Sequence, residues 1–133
     1  MVSAEDLTLR LRRFFEGRGE VRLAFLFGSV SRGKSIPESD VDIGVWLKEG
    51  YDRSEVERLW AAVEQECGRN VDLVVLNEAR PAIAWAAFRG RRLKIDSFRF
   101  FIGKMLEISD EAEFIQDFAL ELYALRRKWR DNS

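Results

Sequence analysis

Apolar positions recur at a helical period in some stretches of this chain and at a period of two in others, and the changes of period divide it into elements. Leu7, Leu11, Phe14 and Phe15 share one helical face, introduced by Ser3, Glu5 and Asp6 and stopped by Gly17 and Gly19, which predicts a first helix over 4–16. Val21 to Phe27 is a short apolar run closed by Gly28, the pattern of a largely buried strand. The stretch 28–39, GSVSRGKSIPES, has the composition of a loop. From 40 to 47 Val41, Ile43, Val45 and Leu47 alternate with Asp40, Asp42, Gly44 and Trp46, so a second strand carries its carboxylates on a non-core face. Ser54 with Glu57 forms a capping-box pattern, and Val56, Leu59, Trp60, Val63 and Cys67 give a second helix over 54–67, ended by Gly68. Val71 to Leu76 reads as a third strand with Asp72 near its start, and Pro81 to Phe88 as a short helix ended by Gly90. From Ser97 the pattern is helical, with a break expected near Ser109 and Asp110. Phe114, Phe118, Leu122, Leu125 and Trp129 continue it as one apolar face, expected to pack on its own domain in preference to a partner.

The order is α-β-loop-β-α-β-α-α, an α/β arrangement in which the helix over 54–67 is long enough to link the second and third strands as a parallel crossover. A length of 133 residues without repeats or linkers fits one domain over 1–133. With 22 Lys+Arg against 23 Asp+Glu, the chain has no basic surplus for holding a nucleic-acid backbone, so nucleic acid is not expected as a direct ligand. The absence of His removes imidazole general-base chemistry, Ser-His-Asp and Cys-His catalysis and His-ligated zinc. Cys67 stands alone on a helix and reads as a packed thiol, consistent with a reducing cytoplasm. No apolar run approaches the roughly 18 residues of a membrane span, and no signal-peptide pattern opens the chain, so a cytoplasmic protein without membrane contact is expected.

Two features carry chemistry. Asp40 and Asp42 are spaced to aim both carboxylates the same way, and like charges so placed repel unless a cation sits between them. Mg²⁺ suits such hard oxygen ligands and leaves positions for phosphate oxygens and water. If the second and third strands are parallel neighbours, their starts share one sheet edge, and Asp72 joins the pair as a third carboxylate. Gly28 and Ser29 follow an apolar strand directly, where a sharp glycine turn lets backbone amides and the Ser29 hydroxyl donate to phosphate oxygens. Residues 28–35, GSVSRGKS, also match the P-loop pattern G-x-x-x-x-G-K-S/T. A P-loop needs a sustained helix from its Gly-Lys, yet Pro37 and the second strand leave that helix no room, and the acidic strands carry Asp at their starts where a Walker-B strand would end on it.

Phe27-Gly28-Ser29, Arg32-Gly33, and Ser39-Asp40-Val41-Asp42, with ten residues between Gly-Ser and Asp-x-Asp, resemble the signature of the minimal nucleotidyltransferases, small members of the DNA polymerase β superfamily. Asp72 in V-D-L-V-V-L agrees with that pattern, and Ser31 stands where Ala is more usual. The resemblance implies the small nucleotidyltransferase fold, a short mixed sheet flanked by helices, with a core over about 20–95 and a helical C-terminal extension over about 97–130. It further implies that Gly28 and Ser29 hold the β- and γ-phosphates of ATP, with Ser39 beside them, and that Asp40, Asp42 and Asp72 bind Mg²⁺ in a two-metal site. Asp72 would also help deprotonate the acceptor hydroxyl. Arg32 pairs either with the triphosphate or with a neighbouring surface acid.

Proteins of this kind resemble the antitoxin half of HEPN/MNT toxin–antitoxin pairs, in which the nucleotidyltransferase silences a HEPN ribonuclease by moving AMP to one of its hydroxyls. The resemblance thus implies ATP and a HEPN-type protein as partners, in a homo- or hetero-oligomer, and a site open enough to admit a protein. The chain is not itself the toxin, because HEPN ribonucleases resemble one another in an Arg…His motif and there is no His here. The alternatives are transfer to a small hydroxyl compound such as an aminoglycoside, or an idle binding module that blocks a partner by contact. The P-loop and nucleotidyltransferase readings separate on two side chains: Lys34→Ala should keep most ATP binding and Ser29→Ala should lose much of it. Fluorescent-nucleotide titration of both variants checks this, and the reverse order would restore the P-loop.

Overall fold

A computed structural model describes residues 3–28, 40–112 and 126. The chain begins with helix α1 (Ala4–Glu16), where the Ser3 hydroxyl accepts from the Asp6 N–H at 3.1 Å and Glu5 and Asp6 complement the helix dipole. Strands β1 (Val21–Phe27) and β2 (Val41–Leu47) follow, then helix α2 (Arg53–Cys67) and strand β3 (Val71–Val75). Helix α3 (Pro81–Phe88), strand β4 (Arg91–Ile95) and helix α4 (Phe98–Ala112) complete the described chain. The four strands form one mixed sheet in the order β3-β2-β1-β4. β1 runs antiparallel to β2 and β4, and β2 runs parallel to β3 through the crossover helix α2, as the helix length predicted.

Both faces of the sheet are covered. On one, Leu7, Leu11 and Phe15 of α1 and Leu59 and Val63 of α2 bury against Val21, Ile43, Val45, Val71 and Leu73. On the other, Trp85 and Phe88 of α3 and Phe101 and Met105 of α4 bury against Leu23, Phe25 and Leu76. The second layer corrects the expectation that the Asp40, Asp42, Gly44, Trp46 face lies away from any core. Gly44 is buried on it, and a Cβ there would stand 3.0 Å from Leu76 Cδ2 and 3.1 Å from Ala87 Cβ. The missing side chain lets α3 approach the sheet closely.

Three further expectations need correction. β4, RRLKI, is absent from the sequence reading because its charged residues hide the alternation; it is an edge strand, with Leu93 its one buried residue. The cap of α2 is Asp52, whose carboxylate accepts from the Glu55 N–H at 2.8 Å, and not Ser54, whose hydroxyl instead accepts from Arg58 at 2.7 Å. α4 runs unbroken through Ser109 and Asp110, because the buried Ser109 hydroxyl donates back to the Leu106 carbonyl at 2.9 Å and needs no other partner. The stripe Phe114 to Trp129 lies outside the described residues.

Cys67 is buried at the end of α2, and burial pushes its thiol up to about 11, which leaves it protonated and unreactive as expected. Among the described residues no helix is long and apolar enough to cross a membrane. The tight seat of Gly44 makes a measurable demand: Gly44→Ala should destabilise the fold by about 1–3 kcal/mol through overpacking against Ala87 on its helix. Urea denaturation measures it, and an unchanged midpoint would contradict the close approach of α3.

Candidate active site

Strand pairing brings the chemistry together. Asp42 and Asp72 are direct register partners on the parallel strands β2 and β3, so their side chains leave the same face side by side. β1 lies on the other side of β2 with Phe27 opposite Asp42, and Gly28 therefore turns beside the Asp42 carboxylate. Asp40 precedes β2 and is exposed, as is Asp72, while Asp42 is half-buried. This is the face that α3 and α4 cover from Gly44 onward, so the carboxylates stand where that cover stops.

Gly28 has a φ of +78°, a conformation L side chains rarely adopt, and a Cβ on it would run into Asp42 Oδ2 and lie 3.1 Å from Asp42 Cγ. Glycine is needed twice over, for the turn and for the space. The Asp42 carboxyl is raised above its ordinary range, first by burial and then by the neighbouring charges of Asp72 and Asp40. The part of that rise owed to Asp72 and Asp40 is one that a nearby cation would relieve.

The donor set is open. Among the described residues no three acidic or thiol side chains close into a metal cage. Two adjoining carboxylates with a third nearby nonetheless fit Mg²⁺, which completes its octahedron with phosphate oxygens and water in nucleotide sites. The absent side chain of Gly28 lets the turn close directly onto the Asp42 carboxylate. Of the residues singled out in the sequence, Gly28, Asp40, Asp42 and Asp72 meet at this edge; Ser29, Arg32 and Ser39 lie outside the described residues. The helical wall over this face went unread, although an interior strand glycine, Gly44, is itself a signal of close approach.

The family model described as Polymerase beta, Nucleotidyltransferase matches residues 10–97. No curated protein matches the chain. A crystal structure of a toxin–antitoxin with AMP-PNP is 22% identical over 96% of this chain and 96% of that one, with a TM-score of 0.56. A tri-AMPylated HEPN toxin in complex with MNT antitoxin from Shewanella oneidensis is 19% identical over 93% of this chain and 98% of that one, with a TM-score of 0.57. A structure assigned as a minimal nucleotidyltransferase is 30% identical over 65% of this chain and 91% of that one, at a TM-score of 0.55. The first two likenesses are likenesses of fold.

The crowded carboxylates predict a pH-dependent gain from Asp42→Asn in protein freed of divalent cations. Because the folded state raises the Asp42 pKa, native protein binds more protons than unfolded protein between about pH 4 and the raised value, and wild-type stability falls as pH climbs through that window. Asn carries no charge there. The variant should therefore melt with wild type below the window and above it at neutral pH. Thermal melts across pH in chelator check this, and a variant less stable at neutral pH would contradict the repulsion.

Proposed function

Because the chain belongs to the polymerase β nucleotidyltransferase family, we propose that it moves AMP from ATP, with Mg²⁺, to a hydroxyl of a HEPN-type protein partner, and so acts as the antitoxin of a toxin–antitoxin pair. The observation that carries the reading is the in-register pair Asp42 and Asp72 beside the Gly28 turn. A phosphate chain laid along that turn lies next to carboxylates already short of positive charge.

The bound Mg²⁺ would neutralise charge on the phosphates as the displacement proceeds. The chain's own part is placement. Gly28 lets the turn pass close to Asp42, and on this reading the amides after it, with the Ser29 hydroxyl, would donate to the β- and γ-phosphates. Asp40 and Asp42 would hold the cation, and Asp72, in register with Asp42, would complete its site. Exposed at the strand's start, Asp72 accepts the proton of the incoming hydroxyl, whose oxygen forms a bond to the α-phosphorus while the bond to pyrophosphate breaks. No imidazole is required, in keeping with a chain that has no His.

The partner assignment draws its support from the solved complexes of like fold, one holding AMP-PNP and another a HEPN toxin that carries AMP. Incubation with ATP, Mg²⁺ and a HEPN partner should add one or more AMP masses to a partner hydroxyl and release pyrophosphate. Asp42→Asn should lower that rate by at least about a hundredfold, and Asp40→Asn and Asp72→Asn similarly. Mass spectrometry of the partner is the measurement. A partner left unmodified yet inhibited equally by wild type and Asp42→Asn would make the chain a binding module. Rapid labelling of an aminoglycoside in place of the partner would make it a small-molecule enzyme.

A further inference from the structure

β3 is one of the two edge strands of the sheet, and Asp72 is its second residue. In a parallel pair, alternate residues turn their N–H and C=O toward the neighbouring strand and the others turn theirs outward. The Val41 N–H donates to the Asn70 carbonyl at 3.0 Å, which puts Asn70 on the inward side and Val71 on the outward side. The outward groups of Val71 ought to face solvent along a bare edge. Both are instead taken by α2: Trp60 Nε1 donates to the Val71 carbonyl at 2.7 Å, and the Val71 N–H donates to Glu64 Oε2 at 3.1 Å.

Trp60 and Glu64 are one helical turn apart, both half-buried, and the Trp60 ring packs against the α1–α2 core. The carbonyl that Trp60 holds belongs to the peptide plane joining Val71 to Asp72. Fixing that plane fixes the Asp72 N–Cα bond, and within the narrow range of φ that a strand residue takes it thereby limits the direction in which the Cα–Cβ bond leaves. The site needs such a restraint. Asp72 and Asp42 repel each other, and the start of an edge strand is where a sheet opens most easily.

Resting on the nucleotidyltransferase reading, we infer that Trp60 and Glu64 are positioning residues that clamp the first peptide of β3 and hold the Asp72 carboxylate beside Asp42 for cation binding. A pair that merely protects the sheet edge would serve stability, and its loss would change cation affinity alike with and without Asp72, or not at all. The two roles separate in a double-mutant cycle.

The full chain is made as wild type, Trp60→Phe, Glu64→Ala and Glu64→Gln, each with and without Asp72→Asn. Mn²⁺ uptake in the presence of a non-hydrolysable ATP analogue is followed by the loss of the free-ion electron spin resonance signal. With Asp72 present, Trp60→Phe and Glu64→Ala should each weaken Mn²⁺ binding by about tenfold, whereas Glu64→Gln, which keeps an acceptor oxygen, should stay near wild type. In the Asp72→Asn background all of them should bind alike. Equal weakening in both backgrounds, or none in either, overturns the inference. If Trp60→Phe does not fold, the contrast of Glu64→Ala with Glu64→Gln carries the same test. A wild-type chain that takes up no Mn²⁺ with the analogue overturns the cation site itself, and the inference falls with it.

Discussion

The parallel pairing of β2 with β3 at the register Asp42 against Asp72 is the constraint on which the rest of the structure depends. Strand register is all-or-none, since a slip of one residue turns every side chain to the opposite face. Here a slip would turn Asp42 and Asp72 into the α1–α2 core and Ile43 and Leu73 out of it. The correct register instead sets two carboxylates side by side, at an electrostatic cost visible in the raised Asp42 carboxyl. The hydrophobic interdigitation of Val41, Ile43, Val45, Val71 and Leu73 against α1 and α2 outweighs that cost. The site is thus a local conflict held in place by burial, of the kind that binding a cation resolves.

Covering the sheet on both sides makes this stable in a small chain. A sheet covered on one side alone would leave Leu23, Phe25 and Leu76 exposed; α3 and α4 bury them with Phe88 and Phe101, whose tilted rings lie 5.2 and 5.4 Å from that of Phe25. That second layer also shapes the site. Ala87 rests over Gly44, one alternation beyond Asp42, so the wall ends where the carboxylates begin. Cover over the apolar part of β2 and openness over its acidic start follow from the same strand alternation.

Much of this was legible in the sequence. The alternation of Val41 to Leu47 gave the strand and its acidic face, Gly28 and Gly68 marked turns with positive φ, and the length of α2 implied the parallel crossover that brings Asp72 to Asp42. What was not legible depends on tertiary partners. Arg91, Arg92 and Lys94 look like solvated loop until β1 supplies the ladder and α1 covers Leu93, with the Lys94 amine donating to the Arg18 carbonyl at 2.6 Å and Arg12 to the Arg92 carbonyl at 2.9 Å. Asp52 and Ser54 are both good caps, and local pattern alone cannot rank them. Ser109 ends helices often enough to suggest a break, but its hydroxyl is satisfied within the preceding turn. The roles of Trp60 and Glu64 depend on which residue of β3 faces the edge, which only the register decides.

The two ends of β2 are built for opposite purposes. At the far end the Asn77 side-chain amide closes both hydrogen bonds on Leu47, accepting from its N–H and donating to its carbonyl, each at 2.9 Å. Trp46 meets Phe100 edge-on there, with the Lys104 amine 5.0 Å from the Trp46 ring and Arg22 stacked 3.6 Å from Phe100. These contacts fasten the far end of β2 to the segment after β3 and to α4. At the near end the strand carries Asp40 and Asp42, which by themselves would loosen it. Because register propagates along a strand, the neutral lock at Leu47 reinforces the alignment that burial of Val41, Ile43 and Val71 sets at the acidic end. On the reading proposed above, the carboxylates are thus aligned by contacts beyond their own cluster, ready for a cation and its nucleotide.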